Sequence, residues 1–180
     1  MSDPTYTSSD FNTTANQTIA REQLVCYLNT GTAQSPTWSP LGKRVEDSSE
    51  GLDWSDESKK DILGDTHSTM KKPIITQSFD PINLDSGDSA IHQIWKLAIH
   101  DQDPQALCNM DMLLVHLYAG TPSSAVFAER YPSSMVKPTG LGGAGGGSIE
   151  MPVEVTFGGT RSVGTAAVTS AGVVTFTAAS

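Results

Sequence analysis

The strongest constraint on the fold is a series of strand-like segments that begins at residue 110. "MDMLLVHLYA" (110–119) is strongly apolar, and "AVFAERY" (125–131) follows it after a Gly-Thr-Pro turn, which is typical of a β-hairpin. "IEMPVEVTF" (149–157) alternates acidic and apolar residues with the two-residue period of a strand. Two further short apolar segments surround a turn at 170–172 and predict another hairpin. This half of the chain is therefore predicted to be β-sheet.

The preceding half adds two extended segments and one helix. Residues 21–30 alternate as a strand does, and residues 67–82 are extended, with Pro73 indicating an edge, a bulge or a break. A helix is predicted at about 88–102, with an apolar stripe formed by Ile91, Ile94, Trp95 and Ala98. We therefore predict a mainly β domain at 21–180, a β-sandwich or barrel with one flanking α-helix.

Two polar segments lack the apolar residues of a core. Residues 1–20 are rich in Ser, Thr and Asn, and they are predicted to form an N-terminal arm that is either loose or ordered by a partner. A long acidic loop is predicted at 42–61, because residues 42–65 contain eight carboxylates against four cations. The chain is expected to return from this loop to the body at Ile62 and Leu63. Loops of this length are uncommon in compact domains unless they are functional or disordered.

Two tryptophans accompany the acidic loop. Trp38 precedes it and Trp54 lies within it. A tryptophan in such a position either folds back onto the body or docks on a neighbouring molecule, since Trp is favoured at interfaces. The sequence leaves both interpretations open.

Charge and composition exclude several classes of protein. The net charge is -9, which disfavours tight binding of nucleic acid, because affinity for phosphates depends on clustered Lys and Arg. No apolar run approaches the length of a membrane span, and the N-terminus lacks the pattern of a signal peptide, so we expect production in a cytoplasm and no membrane partner. Cys26 and Cys108 lie in apolar stretches and are predicted to be reduced core thiols.

A glycine-rich segment at 139–148 imitates a nucleotide-binding motif. Gly140, Gly142 and Gly145 have the spacing G-x-G-x-x-G, which binds a dinucleotide pyrophosphate when it opens a helix. The residues that follow are predicted to be a strand, so this requirement is not met. We predict a link between two strands, where glycine leaves the chain mobile, and no bound nucleotide.

No other pattern marks an active site. His92 and His100 lie about two turns apart on the predicted helix without the spacing of a zinc-binding motif, and a solvated helix face is the preferred interpretation. His116 lies in an apolar strand and is predicted to be a core or interface side chain. No G-x-S-x-G motif marks a nucleophile. We therefore predict that the chain is not an enzyme and has no catalytic residue, cofactor or metal site.

Three segments, taken in order, carry a resemblance to a known family. They are the acidic loop running into "KKDILGD", the "SFDP" segment before the "GDSAIHQIW" helix, and "EVTFGGTRSVGTA". In this order they resemble the major tail proteins, or tail tube proteins, of long-tailed bacteriophages. The resemblance spans roughly residues 20 to 177. It implies a tail-tube-like β-sandwich or barrel with one flanking helix.

The resemblance also implies a role in assembly. Such proteins form hexameric rings whose inner strands join into one β-barrel, and the rings stack into a tube through which genome DNA passes without specific binding. The partners implied are further copies of this chain and other tail proteins, namely the tape measure, the tail tip and the terminator. The implied location is the tail of a virion assembled in the bacterial cytoplasm.

The residues expected to act in assembly fall into two sets. Inter-subunit contacts are expected mainly on the acidic loop, at Trp38, Asp53, Trp54, Asp56, Lys59, Lys60 and Asp61. Carboxylates that face the lumen would repel DNA phosphates, and the candidates are Asp111, Glu150 and Glu154, of which the last two share one face of a strand. The alternative function is a β-sandwich binding module, such as a host-surface or carbohydrate-binding tail component, with Trp38 and Trp54 as its aromatic platform.

Overall fold

The structure of the protein is a computed structural model, which describes residues 11–14 and 16–179. Residues 1–10 and 15 of the predicted N-terminal arm lie outside the described residues. The strands are β1 Leu24–Asn29, β2 Trp38–Leu41, β3 Glu50–Asp53, β4 Glu57–Lys60, β5 Thr66–Thr69, β6 Ile74–Asn83, β7 Met110–Thr121, β8 Ala125–Pro138, β9 Glu150–Thr156, β10 Ser162–Val168 and β11 Val174–Ala178. The helical elements are a 3-10 turn at Arg21–Gln23, α1 Ser89–Trp95, a π-helical turn at Lys96–His100 and α2 Pro104–Leu107. The predicted mainly β fold with a flanking helix is confirmed.

Nine of the strands form one antiparallel network that divides at β8 into two layers. The first layer has the order β2-β1-β7-β8-β10-β11. The second layer has the order β8-β9-β6-β3. The first half of β8 pairs with β7 and β10, and its second half pairs with β9, so this one strand belongs to both layers.

The change of layer in β8 occurs at residues 132–134. The register between β7 and β8 shifts there, and the Ser134 hydroxyl donates to the carbonyl of Tyr131 while it accepts from the backbone N–H of Gly158. A strand that moves from one sheet to another needs such an irregularity, because its ladder must be interrupted. The buried Ser134 provides the hydrogen bonds that the ladder loses.

The main core lies between the two layers and under α1. Its members come from β1, β2 and β7, from β6 and β9, and from α1, and include Leu28, Met112, Leu114, Ile82, Val153 and Ile94. A second apolar cluster lies on the opposite face of the first layer and includes Tyr27, Trp38, Leu113, Val115 and Val126. Successive residues of β1 and β7 alternate between these clusters. These strands are therefore buried on both faces, which explains the continuous apolar run at 110–119.

The predicted helix at 88–102 begins with α1. The Asp88 carboxylate accepts hydrogen bonds from the backbone N–H groups of Ala90 and Ile91 and so caps the helix. Ala90, Ile91 and Ile94 are buried against the sheets. The helix then continues as the π-helical turn, and Asp103 caps the short α2 in the same way.

Phe11 and Asn12 of the predicted N-terminal arm are attached to the body of their own subunit. Phe11 forms an antiparallel bridge with Ala119, and the backbone N–H of Asn12 donates to the carbonyl of Tyr118 over 2.9 Å. β1 pairs with β7 only as far as Leu24, so these two residues continue the pairing beyond the end of β1. For them the prediction of a loose or partner-ordered arm is wrong.

Three further predictions need correction. The acidic loop at 42–61 contains two strands, β3 and β4, although its residues are largely exposed, as expected. Cys108 is exposed, because α2 places it at the surface, and only Cys26 is a core thiol. Ile62 and Leu63 do not return to the body but lie exposed in the turn between β4 and β5.

Candidate assembly surface

Residues 50–74, which we call the projecting segment, run from β3 to the start of β6. β3 pairs with β6 at the edge of the second layer, and the chain then forms a hairpin in which β4 and β5 pair only with each other among the described residues. All the residues of β4 and β5 are exposed. Among the described residues the hairpin therefore contributes nothing to either core, and its side chains are exposed to solvent.

The projecting segment carries an unusual share of the exposed apolar side chains. Of the twelve large hydrophobic residues that are exposed in the described part of the chain, six lie within it: Leu52, Trp54, Ile62, Leu63, Met70 and Ile74. Scattered single hydrophobic residues are normal on a protein surface, whereas a concentration of them marks an interaction site. The most exposed of the six are Ile62 and Leu63, at 101% and 83%. We call these two residues the hairpin tip.

The turn that presents the hairpin tip is held by Asp61. Its carboxylate accepts hydrogen bonds from the backbone N–H groups of Leu63 and Asp65, at 2.8 and 3.0 Å, and lies 3.1 Å from the His67 ring nitrogen. These contacts, that of His67 first, hold the pKa of Asp61 below its usual value. Gly64 has a positive φ of 91°, which the turn requires. The tip is thus presented in one defined conformation.

The other predicted inter-subunit residues divide between this segment and the core. Six of the seven lie in the projecting segment, where Lys59 pairs with Glu57 and Trp54 is 43% exposed. Trp38 does not. It is 6% exposed in the second apolar cluster, with the Arg130 guanidinium over its ring at 5.6 Å. Its assignment to an interface is corrected, and the aromatic platform proposed for a binding module loses one of its two members.

A groove of about 780 Å³ opens where β3 stands apart from the first layer. We call it the mouth groove. Its lining comes from β3 and the residues after it, the start of β6, β8, and the loop between β9 and β10: Glu50, Leu52, Trp54, Lys72, Pro73, Ile75, Glu129, Tyr131, Phe157, Gly159, Thr160 and Arg161. Leu52 is paired with Ile75, so it lies on the inward face of the second layer, yet 51% of its surface is exposed. The inner face of this layer is therefore uncovered at β3.

Glu129 forms a buried ionic network beside this groove. Its carboxylate accepts from Tyr131 over 2.5 Å and from Arg161 over 2.6 Å on one oxygen, and the other oxygen lies 3.2 Å from the His116 ring. Burial by itself raises the pKa of Glu129, but the contacts with His116, Arg161 and Tyr131 outweigh it and lower the pKa to about 2. The negative charge of the Glu129 carboxylate is therefore compensated by these partners. His116, which was predicted to be a core or interface side chain, belongs to this network.

The three predicted lumen-facing acids do not lie together. Asp111 is in the first layer, where Arg130 donates to both of its oxygens at 2.9 and 2.7 Å and Asn29 donates a further hydrogen bond. Glu150 and Glu154 share the outer face of β9, while Met151, Val153 and Val155 face the core. Glu154 lies 2.5 Å from Lys137. Asp111 is neutralised by its partner, so its charge is not free to repel DNA.

The predicted glycine link joins β8 to β9. Gly142 and Glu150 exchange backbone hydrogen bonds at 3.0 and 2.5 Å, so the link is attached to the beginning of the strand that it precedes. A strand and not a helix follows it, as predicted. The geometry required for a pyrophosphate is therefore missing.

The described residues contain no group of three or more His, Cys, Asp or Glu side chains that could hold a metal ion. His92 and His100 are exposed on the helix. Within the same part of the chain, no helix has both the length and the apolar character needed to cross a membrane.

Comparison with known proteins gives similarity of fold. No protein-family model matches the chain, and no curated protein sequence matches it. The sheath/tube terminator of an extracellular contractile injection system, PVC in its extended state, is similar to it with a TM-score of 0.51 and 10% identity, over 83% of this chain and 99% of that chain. The tail-tube-like fold is therefore confirmed, and at this identity the likeness concerns the fold alone.

Two further solved structures are similar at lower scores. The tube-terminating cap of the anti-feeding prophage has a TM-score of 0.49 and 12% identity, over 89% of this chain and 99% of that chain. A chain of the PVC sheath-tube complex in its extended state has a TM-score of 0.47 and 7% identity, over 83% and 93%.

Sequence reasoning missed the most exposed residues of the surface. Ile62 and Leu63 were expected to mark the return to the core because they are apolar. The signal that could have placed them is their position between Asp61 and Gly64, since Asp followed by Gly at this distance is typical of a turn. The Glu129 network had no local signal, because its members come from three separate segments of the chain.

Proposed function

We propose that this chain is a structural subunit of a phage-tail-like tube. Copies form hexameric rings, the rings stack, and the lumen is the conduit through which genome DNA leaves. The observation that carries the proposal is the similarity of fold to the sheath/tube terminator over 99% of that chain. The role is that of a building block of a virion tail, without catalysis, in contact with other tail proteins such as the tape measure, the tail tip and the terminator.

The edges of the two layers support an assembling role. Among the described residues, β2 and β11 end the first layer and β3 ends the second, and no strand of the subunit covers them. Unpaired edges promote association, and closing a sheet between copies removes them. The projecting hairpin, which is exposed throughout, is suited to reach a copy in the next ring.

The acidic character of the chain suits a conduit. A net charge of -9 allows DNA to slide past the wall, because carboxylates repel phosphates. Glu150 and Glu154 on the outer face of β9 are the two candidates whose position is compatible with a lumen. Lys137 compensates part of this charge at Glu154.

Electron microscopy of the purified full chain tests the proposal. We expect six-fold rings and, at high protein concentration, stacked tubes with a central channel. Only monomers at every concentration and salt condition, including in the presence of tail-initiating complexes, would contradict it.

A second candidate is a terminator or cap that closes the end of such a tube. The observation that favours it is that the structure with the TM-score of 0.51 is described as a sheath/tube terminator. The same micrographs separate the two functions. A tube subunit stacks into long tubes by itself, whereas a terminator forms single rings that bind to the end of a tube and do not stack.

A further inference from the structure

We propose that the mouth groove receives the hairpin tip, Ile62 and Leu63, of a second copy of this chain. The inference rests on the proposed function, because it names the contact that would join one copy to the next.

The mouth groove needs an apolar occupant. Leu52 lies on the inward face of the second layer, where the side chains of a sandwich are ordinarily covered, and it remains 51% exposed. Trp54 beside it is also exposed. These two side chains form the outer wall of a groove whose depth is apolar at Phe157 and Ile75.

The most buried charge in the lining of the groove belongs to Glu129. Glu129 already has Arg161, Tyr131 and His116 as partners. A cationic ligand would find this carboxylate occupied, and an anionic ligand would meet it unfavourably. An aliphatic occupant leaves Glu129 and its partners undisturbed, which is the condition for burying this network without a large penalty.

The same chain presents an exposed aliphatic pair, Ile62 and Leu63, at the hairpin tip. The hairpin tip is almost fully exposed and carries no charged group between Asp61 and Asp65. The Asp61 hydrogen bonds fix the turn in advance, so little conformational freedom is lost when the tip binds. A rigid apolar projection and a groove with uncovered apolar walls are complementary.

The contact joins two different copies of the chain. The tip does not occupy the groove of its own subunit, because Ile62 is fully exposed, and β4 alone carries it roughly 13 Å outward at the rise of a strand. A contact between two different surfaces of identical chains is heterologous when it is not reciprocated, and a heterologous contact propagates into a ring or an open stack. This is the type of contact that a tube requires.

Site-directed disulfide formation tests the contact directly. In the full chain with the exposed Cys108→Ser, one variant carries Leu63→Cys at the tip and another carries Leu52→Cys in the groove. Mixed under mild oxidation at assembly concentration, the two should give a 1:1 cross-linked dimer. A chain that carries both substitutions should give a ladder of higher oligomers, and Leu63→Cys alone should give no dimer.

The control is Leu141→Cys, which places the thiol on another exposed leucine, 47% against 83% for Leu63, outside the projecting segment. We expect the Leu63→Cys and Leu52→Cys pair to cross-link about tenfold more than the Leu141→Cys and Leu52→Cys pair, since a disulfide requires Cα atoms within about 7 Å. Thr160→Cys on the opposite wall should cross-link to the tip as well.

The outcomes distinguish this inference from the proposed function. Rings or tubes in micrographs without the tip–groove cross-link overturn the inference and leave the tube function standing, as does preferential cross-linking of the control position. The specific cross-link without rings or tubes supports the contact and contradicts the tube. Monomers without any cross-link contradict both.

Discussion

Strand β7 and the projecting hairpin are both antiparallel β-structures, yet their aliphatic side chains have opposite environments. Leu113, Leu114 and Val115 of β7 are fully buried, because alternate residues enter the two apolar clusters. Ile62 and Leu63 at the hairpin tip are almost fully exposed. The same types of side chain therefore stabilise the fold in one region and stay exposed in the other, where the proposed function has them contact another copy. Stability and assembly should be separable by mutation.

The largest expected effect contrasts one leucine from each region. Leu114→Ala should lower the free energy of unfolding by about 2–5 kcal/mol, because it removes a fully buried side chain from the main core. Leu63→Ala should change it by no more than about 0.5 kcal/mol. Urea denaturation followed by tryptophan fluorescence measures both. Equal losses of unfolding free energy in the two variants would show that the tip packs within the monomer, and the two regions would then not differ.

The next contrast uses a buried and an exposed carboxylate. Glu129→Gln should cost about 3 kcal/mol of stability, because it leaves the largely buried His116 without its carboxylate partner and breaks the ion pair with the half-exposed Arg161. Glu154→Gln, which breaks an exposed pair with Lys137, should cost less than about 1 kcal/mol. The same denaturation experiment applies. A small loss for Glu129→Gln would mean that the network is not a structural element.

The pH dependence of stability follows from the same carboxylate. The pKa of Glu129 is lowered from 4.5 to about 2, so the unfolded chain binds its proton more readily than the folded one. The contribution of Glu129 is complete above pH 4.5 and is lost as the pH falls from 4.5 towards 2, by no more than roughly 3 kcal/mol. Thermal melts across this range should show a shallower slope for Glu129→Gln than for the native chain. Identical slopes would exclude Glu129 as the source.

Removing the hairpin should leave the subunit folded. The backbone N–H of Lys71 donates to the carbonyl of Trp54, so deleting residues 56–69 leaves Ser55 and Met70 as the central residues of a closed turn. We expect a change in unfolding free energy of less than about 1 kcal/mol and, under the proposed function, rings that no longer stack. Calorimetry and electron microscopy report the two effects. A deletion variant that forms normal tubes would show that the hairpin has no role in stacking.

The smallest effect is expected at the turn of the hairpin. Asp61→Ala removes the acceptor of the Leu63 and Asp65 amides and should leave the unfolding midpoint unchanged. Amide hydrogen exchange at these two positions should become faster, while exchange in β7 should not change. Slow exchange at Leu63 in the variant would mean that the turn is held by other contacts.

The sequence predicted the regular elements well where periodicity was strong. The strands at 110–119, 149–157 and around the 170–172 turn lie where they were predicted, the first from its continuous apolar run and the second from its two-residue alternation. It also separated the glycine link from a nucleotide site, because that question depends only on the type of element that follows. β8 proved longer than the predicted 125–131, since its second half pairs in another layer.

The apolar residues of the loop region were harder to place. Trp38 was considered for an interface and is buried, while Ile62 and Leu63 were assigned to the body and are exposed. Hydrophobicity indicates that burial of a side chain is favourable, but it does not indicate whether the same chain or another molecule covers that side chain. The partners of Asp111 and Glu129 could not be predicted from the sequence either, because Arg130 and Arg161 reach them only across paired strands.

By itself, the sequence determined the mainly β composition, the helix with its apolar stripe, the surplus of negative charge and the resemblance to tail tube proteins. These properties are local or additive, so they can be read from neighbouring residues. Only the tertiary structure decided that β8 serves two layers, that β3 leaves the sandwich open at the mouth groove, and that the hairpin carries its aliphatic tip away from the body. These features depend on which distant segments pair, and pairing is settled by the packing of the whole chain and not by the pattern within any one strand.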